Sequence, residues 1–336
     1  MANQPIKSGS NALDAAWETV LSTLRSVRGP NDQERPPGSQ LDVTLLTGFL
    51  GSGKTTLLRH LLQNSDGLKI AVVVNDVGAV DVDARLIRGV TSQQISLSNG
   101  CVCCALSDDL SEQLQQLNAE PYDAVLIEAS GVSDPVNISQ VIAGLPECRL
   151  DGIVAVVDPT SLDAYLKSVE IGPLLTRQIQ TAHLVLISKE DLVNESERQK
   201  AIGVIGAISP GSRVIPISEG RIEPSVVLSA AMKGISLPND NDQAVFRFVT
   251  GVISSAGPWD PLEVGKLLDR SNHRLLRGKG WFADSDGKLY QLQIVGRRWS
   301  IDEWAGDAPT ELVLISANPD ELAEAEAMFG ECNLDV

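Results

Sequence analysis

Residues 43–64 read VTLLTGFLGSGKTTLLRHLLQN, and the order of parts in that stretch decides the fold. A β-branched run, VTLLT (43–47), leads into Gly48-Phe-Leu-Gly-Ser-Gly-Lys54-Thr55, which meets the pattern G-x-x-x-x-G-K-[ST]; the amphipathic helical stretch TTLLRHLLQN follows. Gly48, Gly51 and Gly53 let the backbone curl so that its N–H groups, reinforced by the helix N-terminus, face phosphate oxygens. Lys54 is placed to reach the β- and γ-phosphates, and Thr55 offers its hydroxyl to Mg²⁺. Ser52 and Thr56 stand in the same loop and are counted with it as nucleotide-binding. Lys54 and Thr55 are therefore candidate catalytic residues.

Outward from this loop, short apolar runs alternate with helical stretches. The expected strands are 43–47, KIAVVVN (69–75), DAVLIE (123–128), GIVAVVD (152–158), HLVLIS (183–188) and RVIPIS (213–218). Most are almost continuously apolar, as strands covered on both faces of a parallel sheet must be. The expectation is a P-loop NTPase α/β domain with a doubly wound, mainly parallel sheet over residues 42–220. Beyond Gly234 the pattern changes. FRFVTGVISS, WFADS, LYQLQIVG and ELVLIS read as strands, with helices near Pro261–Leu268 and Asp320–Phe329, so a smaller α+β C-terminal domain is expected over 240–330. Before the P-loop domain, residues 1–40 divide into an amphipathic helix from Asn11 to about Arg28 and the linker GPNDQERPPGSQ.

The chain of 336 residues carries a formal charge of −17, which argues against nucleic acid as a partner because phosphate backbones are held by clustered Lys and Arg. No apolar run approaches the roughly 18 residues that span a bilayer, and MANQPIKSGSN lacks the apolar core of a secretory signal. A cytoplasmic protein without a membrane partner is expected.

A P-loop needs a second carboxylate on the Mg²⁺ side, at the end of a neighbouring strand. Glu128 closes DAVLIE and is the better candidate, since site residues gather at the C-terminal ends of parallel strands. Gly131, three residues on, can present its N–H to the γ-phosphate and sense its loss. Asp76, in Asn75-Asp76-Val-Gly78, is a weaker Mg²⁺ candidate because Asn-Asp is also a common turn. At the end of HLVLIS stands Ser188-Lys189-Glu190-Asp191. A carboxylate there accepts two hydrogen bonds from N1–H and N2–H₂ of guanine, which adenine cannot donate, and the Lys189 stem can lie along the base. The tetrad resembles the N-K-x-D guanine signature with Ser in place of Asn, a change that loses an amide contact and keeps Asp191. Ser218, after the next strand, is placed at the base edge. GTP is the expected nucleotide.

Three of the five cysteines crowd into Asn99-Gly100-Cys101-Val-Cys103-Cys104. Three thiolates within four residues can converge on one soft or borderline cation such as Zn²⁺. A redox dithiol and a buried structural trio are the alternatives, but the first usually reads C-x-x-C and the second does not suit a polar, Gly-preceded segment. Three ligands leave a fourth position open, and with histidines only at 60, 183 and 273 no fourth ligand presents itself. Cys148 and Cys332 read as small buried hydrophobes.

With GFLGSGKTTLL, VNDVGAVDVD, SNGCVCC, EASGVSDP, LDGIVAVVD and the late LLRGKGWF and LYQLQIVG in this order, the chain resembles the CobW-type GTPases, metal-chaperone-like relatives of the urease and hydrogenase accessory GTPases, over roughly 43–330. The resemblance implies GTP hydrolysis coupled to handling of Zn²⁺ or a similar ion, with Cys101, Cys103 and Cys104 as ligands. Two departures stand out. Family members commonly read N-E-F-G-E where this chain has Asp76 and Ala79, and the His-rich stretch many members carry is missing. The leading expectation is a GTP-dependent metallochaperone with slow intrinsic turnover and a client metalloprotein as partner. A nucleotide-gated regulatory switch with a structural metal and an ATP-using kinase or ligase-accessory protein are the competing readings. Self-association into a homo-oligomer stays open.

Overall fold

The computed structural model describes residues 40–65, 68–75, 94–96, 105–210, 212–229, 248–254, 257–271 and 273–332. The expected N-terminal helix and linker, Asp76 and the three clustered cysteines lie outside the described residues.

The first sheet is built from β1 (Leu41–Thr47), β2 (Ile70–Asn75), β3 (Gln94–Ser96), β4 (Ala124–Ala129), β5 (Cys148–Val157), β6 (Leu184–Ile187) and β7 (Arg213–Pro216), in the order β3-β2-β4-β1-β5-β6-β7. Every pairing in it is parallel. The helices between them are α1 (Lys54–Gln63), α2 (Ala105–Asn118), α3 (Pro135–Ala143), α4 (Leu162–Lys167), α5 (Gly172–Thr181), α6 (Glu195–Ile208) and the short α7 (Pro224–Val227), with a 3₁₀ turn at Glu190–Leu192. The alternation inside β1 sorts its residues onto two layers. Leu41, Val43 and Leu45 pack with Leu110, Leu114 and Leu117 of α2 and Ile138 and Ile142 of α3, whereas Leu46 packs with Leu57, Leu58, Leu61 and Leu62 of α1. Burial on both faces is what the apolar runs predicted.

The second sheet comprises β8 (Val249–Ser254), β9 (Leu275–Ala283), β10 (Leu289–Val295), β11 (Arg298–Trp304) and β12 (Glu311–Ser316), in the order β11-β10-β9-β12-β8 and antiparallel throughout. Its helices α8 (Pro261–Arg270) and α9 (Pro319–Gly330) close one face around Trp259, Leu268, Phe282 and Phe329. Both helices start at an Asx-Pro pair. Asp260 and Asn318 accept from the backbone N–H groups of Leu262 and Glu321, and proline takes the first helical position, where no N–H is needed.

Three differences from the sequence reading have physical causes. β9 begins at Leu275, six residues before WFADS, because Arg277 and Lys279 are buried charges whose partners lie in the other sheet. β11 is an edge strand of mixed exposure, so RWSIDEW carries no clean alternation. β3 spans only Gln94–Ser96, too short to show a pattern.

The sheets meet through a shared apolar cluster in which Leu276, Val295 and Ile315 pack with Leu184, Leu186, Val226 and Leu228. Beside it lies a closed polar network. Asp42 accepts from Lys279 Nζ at 2.7 Å, Arg149 Nε at 3.0 Å and Ser229 Oγ at 3.0 Å. Asp151 is paired with Arg277 and accepts from Thr44 Oγ1 and the Ser229 backbone N–H, each at 3.0 Å. Arg277 is fully buried and also donates to the carbonyls of Val226 and Val227. Burial raises the Asp42 carboxyl, but Lys279 and Arg149 outweigh it and hold the group well below the usual carboxylate range.

Candidate active site

The loop after β1 turns where its sequence predicts. Gly48 has φ 135°, and a Cβ there would stand 2.2 Å from the Val156 carbonyl oxygen, so only glycine lets the loop lie against β5. The loop ends on Gly53, whose backbone N-caps α1. Lys54 is buried and donates through Nζ to the carbonyls of Gly48 at 2.8 Å and Phe49 at 3.3 Å. These carbonyls hold the ammonium over the loop.

Thr55 Oγ1 donates to Glu128 Oε1 at 3.0 Å. The register explains the meeting, since Leu46 near the end of β1 pairs with Glu128 near the end of β4. Two oxygen donors side by side beneath a phosphate loop suit a hard divalent cation such as Mg²⁺. Beyond Glu128 the chain turns at Ser130–Ser133, closed by the Ser133 N–H donating to the Ser130 carbonyl at 2.9 Å. A Cβ on Gly131 would stand 2.6 Å from the Leu50 backbone nitrogen, so the turn abuts the phosphate loop. Gly131 is thus brought beside the loop, as its expected sensing role requires.

The expected base-reading residues occupy the same edge. Ser188 follows β6, and its hydroxyl donates to the Ser52 carbonyl at 2.6 Å. The serine that replaces the signature asparagine therefore ties the base-side loop to the phosphate loop. Lys189 adopts a left-handed backbone with φ 51° and pairs through Nζ with Asp158 Oδ2 at 2.7 Å. Burial pushes the Asp158 carboxyl up, but the hydrogen bonds from Lys189 and Thr160 outweigh it and hold the group below its ordinary value. Asp158, one residue past β5, is brought beside the expected base-reading residues by this pair, and the sequence reading passed over it inside LDGIVAVVD. Its signal was its place at a strand end next to the P-loop strand. Asp191 lies exposed in the 3₁₀ turn, and Ser218 and Thr56 are accessible on the same side. Gly220, just beyond Ser218, packs against the backbone of Thr56 and Leu57 at the start of α1.

Among the described residues no group of three or more His, Cys, Asp and Glu is placed to hold a metal ion. Cys148 and Cys332 are buried, as expected, and burial followed by Glu331 pushes the Cys332 thiol up to about 11. No helix among them is long and apolar enough to cross a membrane.

Comparison with known proteins agrees with this geometry. Residues 42–216 match the model of the CobW/HypB/UreG nucleotide-binding domain, and residues 248–333 match the cobalamin synthesis protein cobW C-terminal domain. The chain is 32% identical over 296 residues to the zinc chaperone YjiA of Escherichia coli, covering 80% of this chain and 91% of that one. It is 34% identical over 323 residues to the zinc-regulated GTPase metalloprotein activator 1 of Dictyostelium discoideum, covering 78% of this chain and 67% of the relative. A crystal structure of Zn(II)-bound YjiA GTPase from E. coli is similar at 28% identity, with a TM-score of 0.43 over 88% of this chain and 100% of that one. The phosphate loop with its strand-end carboxylate and the match of both domain models lead to one conclusion: this chain belongs to the CobW/HypB/UreG family of nucleotide-binding proteins and carries the CobW type of C-terminal domain.

Proposed function

We propose that this P-loop GTPase is a metallochaperone that holds Zn²⁺, or a similar thiophilic ion, through Cys101, Cys103 and Cys104 and hands it to a client metalloprotein. The observation that carries the reading is the Thr55–Glu128 contact at 3.0 Å under a loop whose lysine is buried against its own carbonyls. That pair gives the hydrolysis half of the cycle a physical basis. In hydrolysis a water oxygen bonds to the γ-phosphorus as the bond to the β–γ bridging oxygen breaks. GDP departs with that electron pair, and the water's protons end on phosphate or solvent. Lys54 is placed to stabilise charge gathering on the bridging and γ oxygens. Mg²⁺ bound by Thr55 and Glu128 would spread the negative charge of the same oxygens. Gly131 senses the γ-phosphate, and Asp191, Ser188, Lys189 and Ser218 select guanine.

The metal half is supported by sequence position. The three cysteines stand immediately before Ala105, the first residue of α2, and after β3, which pairs with β2. The segment thus falls in sequence between Asp76 and Glu128, both candidates for the Mg²⁺ side, so nucleotide state and ion affinity have a short route for coupling. Relatives named zinc chaperone and zinc-regulated GTPase metalloprotein activator favour zinc as the ion. The P-loop domain at 42–220, the C-terminal domain at 240–330 and a cytoplasmic setting complete the reading. The test is equilibrium dialysis of Zn²⁺ with GTP, a slowly cleaved GTP analogue and GDP. We expect the dissociation constant for Zn²⁺ to differ at least tenfold between the analogue and GDP, and the C101S/C103S/C104S variant to lose tight binding. Equal constants in all nucleotide states would leave a GTPase with an incidental ion, and undiminished binding by the variant would remove the cysteine site.

A further inference from the structure

The turn that follows Glu128 is gripped by a residue the mechanism does not yet use. Gln178 projects from α5 and is fully buried, yet it is an amide among apolar neighbours. Its Nε2 donates to the carbonyls of Gly131 and Ser133, each at 3.2 Å, while its Oε1 is buried without a hydrogen-bond partner. The two carbonyls fix which end of the amide is the donor. A side chain kept there for packing alone would be Leu or Met, which leave no orphaned acceptor.

The helix that carries Gln178 is anchored. Leu175 and Ile179 on either side are buried with Val157, Val185 and Ile187 of β5 and β6. Arg177 of the same helix pairs with Asp134, the N-cap of α3, at 3.1 Å. Gly131 is therefore held between a phosphate loop that leaves no room for a Cβ and an amide fixed to the sheet. Any shift of the turn toward or away from the γ-phosphate must stretch or remake the Gln178 bonds. The unpaired Oε1 supplies a waiting acceptor for an N–H of the turn in the shifted state.

We infer that Gln178 is a positioning residue, which sets the height of the Gly131–Ser133 turn and thereby the discrimination between GTP and GDP. The inference rests on the nucleotide assignment and is independent of the metal. The experiment measures dissociation constants for GDP and a slowly cleaved GTP analogue, together with kcat and KM for GTP, in the full chain and in Gln178→Leu. Gln178→Met is a second variant of similar volume. The expected result is an analogue-to-GDP affinity ratio lowered about tenfold, kcat lowered by a similar factor and GDP affinity within twofold of the parent. Equal weakening of both nucleotides, an unchanged ratio, or loss of the folded state in both variants would assign Gln178 to the core and overturn the inference. A parent chain that hydrolyses no GTP would overturn the nucleotide assignment and this inference with it. Parent hydrolysis with an unchanged ratio in the variants would overturn the role of Gln178 alone.

Discussion

β1 carries charged clusters at both of its ends, and the two are built on opposite plans. At its start, Asp42 lies in a network where carboxylates, cations and hydroxyls of two sheets satisfy one another. At its finish, Lys54 donates to two carbonyls of its own loop and Glu128 accepts from Thr55, contacts that stay within one strand-end edge of a single sheet. Charge pairs that cross from one sheet to the other lock the joint between them. The contrast teaches that burial alone does not mark a site, since Arg277 is more buried than Lys54 and serves only the joint between the sheets.

The contrast can be broken most directly at Arg277. In Arg277→Met the Asp151 carboxylate would stay buried without its cation, and removing one partner of such a pair typically costs about 3–5 kcal/mol. Denaturant unfolding of the intact chain should show that loss while GTP affinity at the other end of the strands holds. Weakened nucleotide binding without a stability loss would contradict the division.

Lys54→Ala is the converse. Its kcat for GTP should fall about 10²–10³-fold, the range seen when one preorganised electrostatic contact to a transition state is lost. Its unfolding free energy should fall by less than that of Arg277→Met, because Lys54 lies in the loop and not in the joint between the two sheets.

A third measurement sharpens the comparison through pH. Burial, then Arg298 and Arg277, push His183 down from the usual 6.5 to about 3, and burial, then Arg213 and Arg297, push His273 down to about 4. Both rings are neutral in the folded chain, whereas the unfolded chain takes up protons on them below the ordinary value. Their contribution to stability is therefore full above about pH 6.5 and is lost as pH falls toward 4 and then 3. Unfolding free energy should drop on the order of 6 kcal/mol between pH 7 and pH 4, about half of it from each ring, and His183→Asn should flatten the slope. A pH-independent midpoint over that range would exclude these histidines as buried neutral groups.

The nucleotide edge was legible because its parts are local. Gly48 through Thr55 are consecutive, and Glu128, Ser188, Asp191 and Ser218 sit at or just beyond the ends of apolar runs that any parallel sheet brings to one edge. Asp158 obeyed the same rule and was missed only because it closes a run read for its hydrophobicity. Gln178 was not legible, since a glutamine in RQIQT looks like any helix surface until α5 is seen packed over the turn. β9 was read too short for a related reason, because nothing local to Arg277 and Lys279 announces the Asp151 and Asp42 that pair with them.

By itself, then, the order of residues determined the strand–loop–helix grammar and the phosphate loop, and marked the carboxylates at the strand ends, all of which follow from spacing along one chain. Only the tertiary structure decided which cations Asp42 and Asp151 meet, how β9 is buried, and what grips the turn beside the phosphate loop. The reason is that pairing between charges more than 100 residues apart depends on which faces of two sheets meet, and no local pattern encodes that meeting.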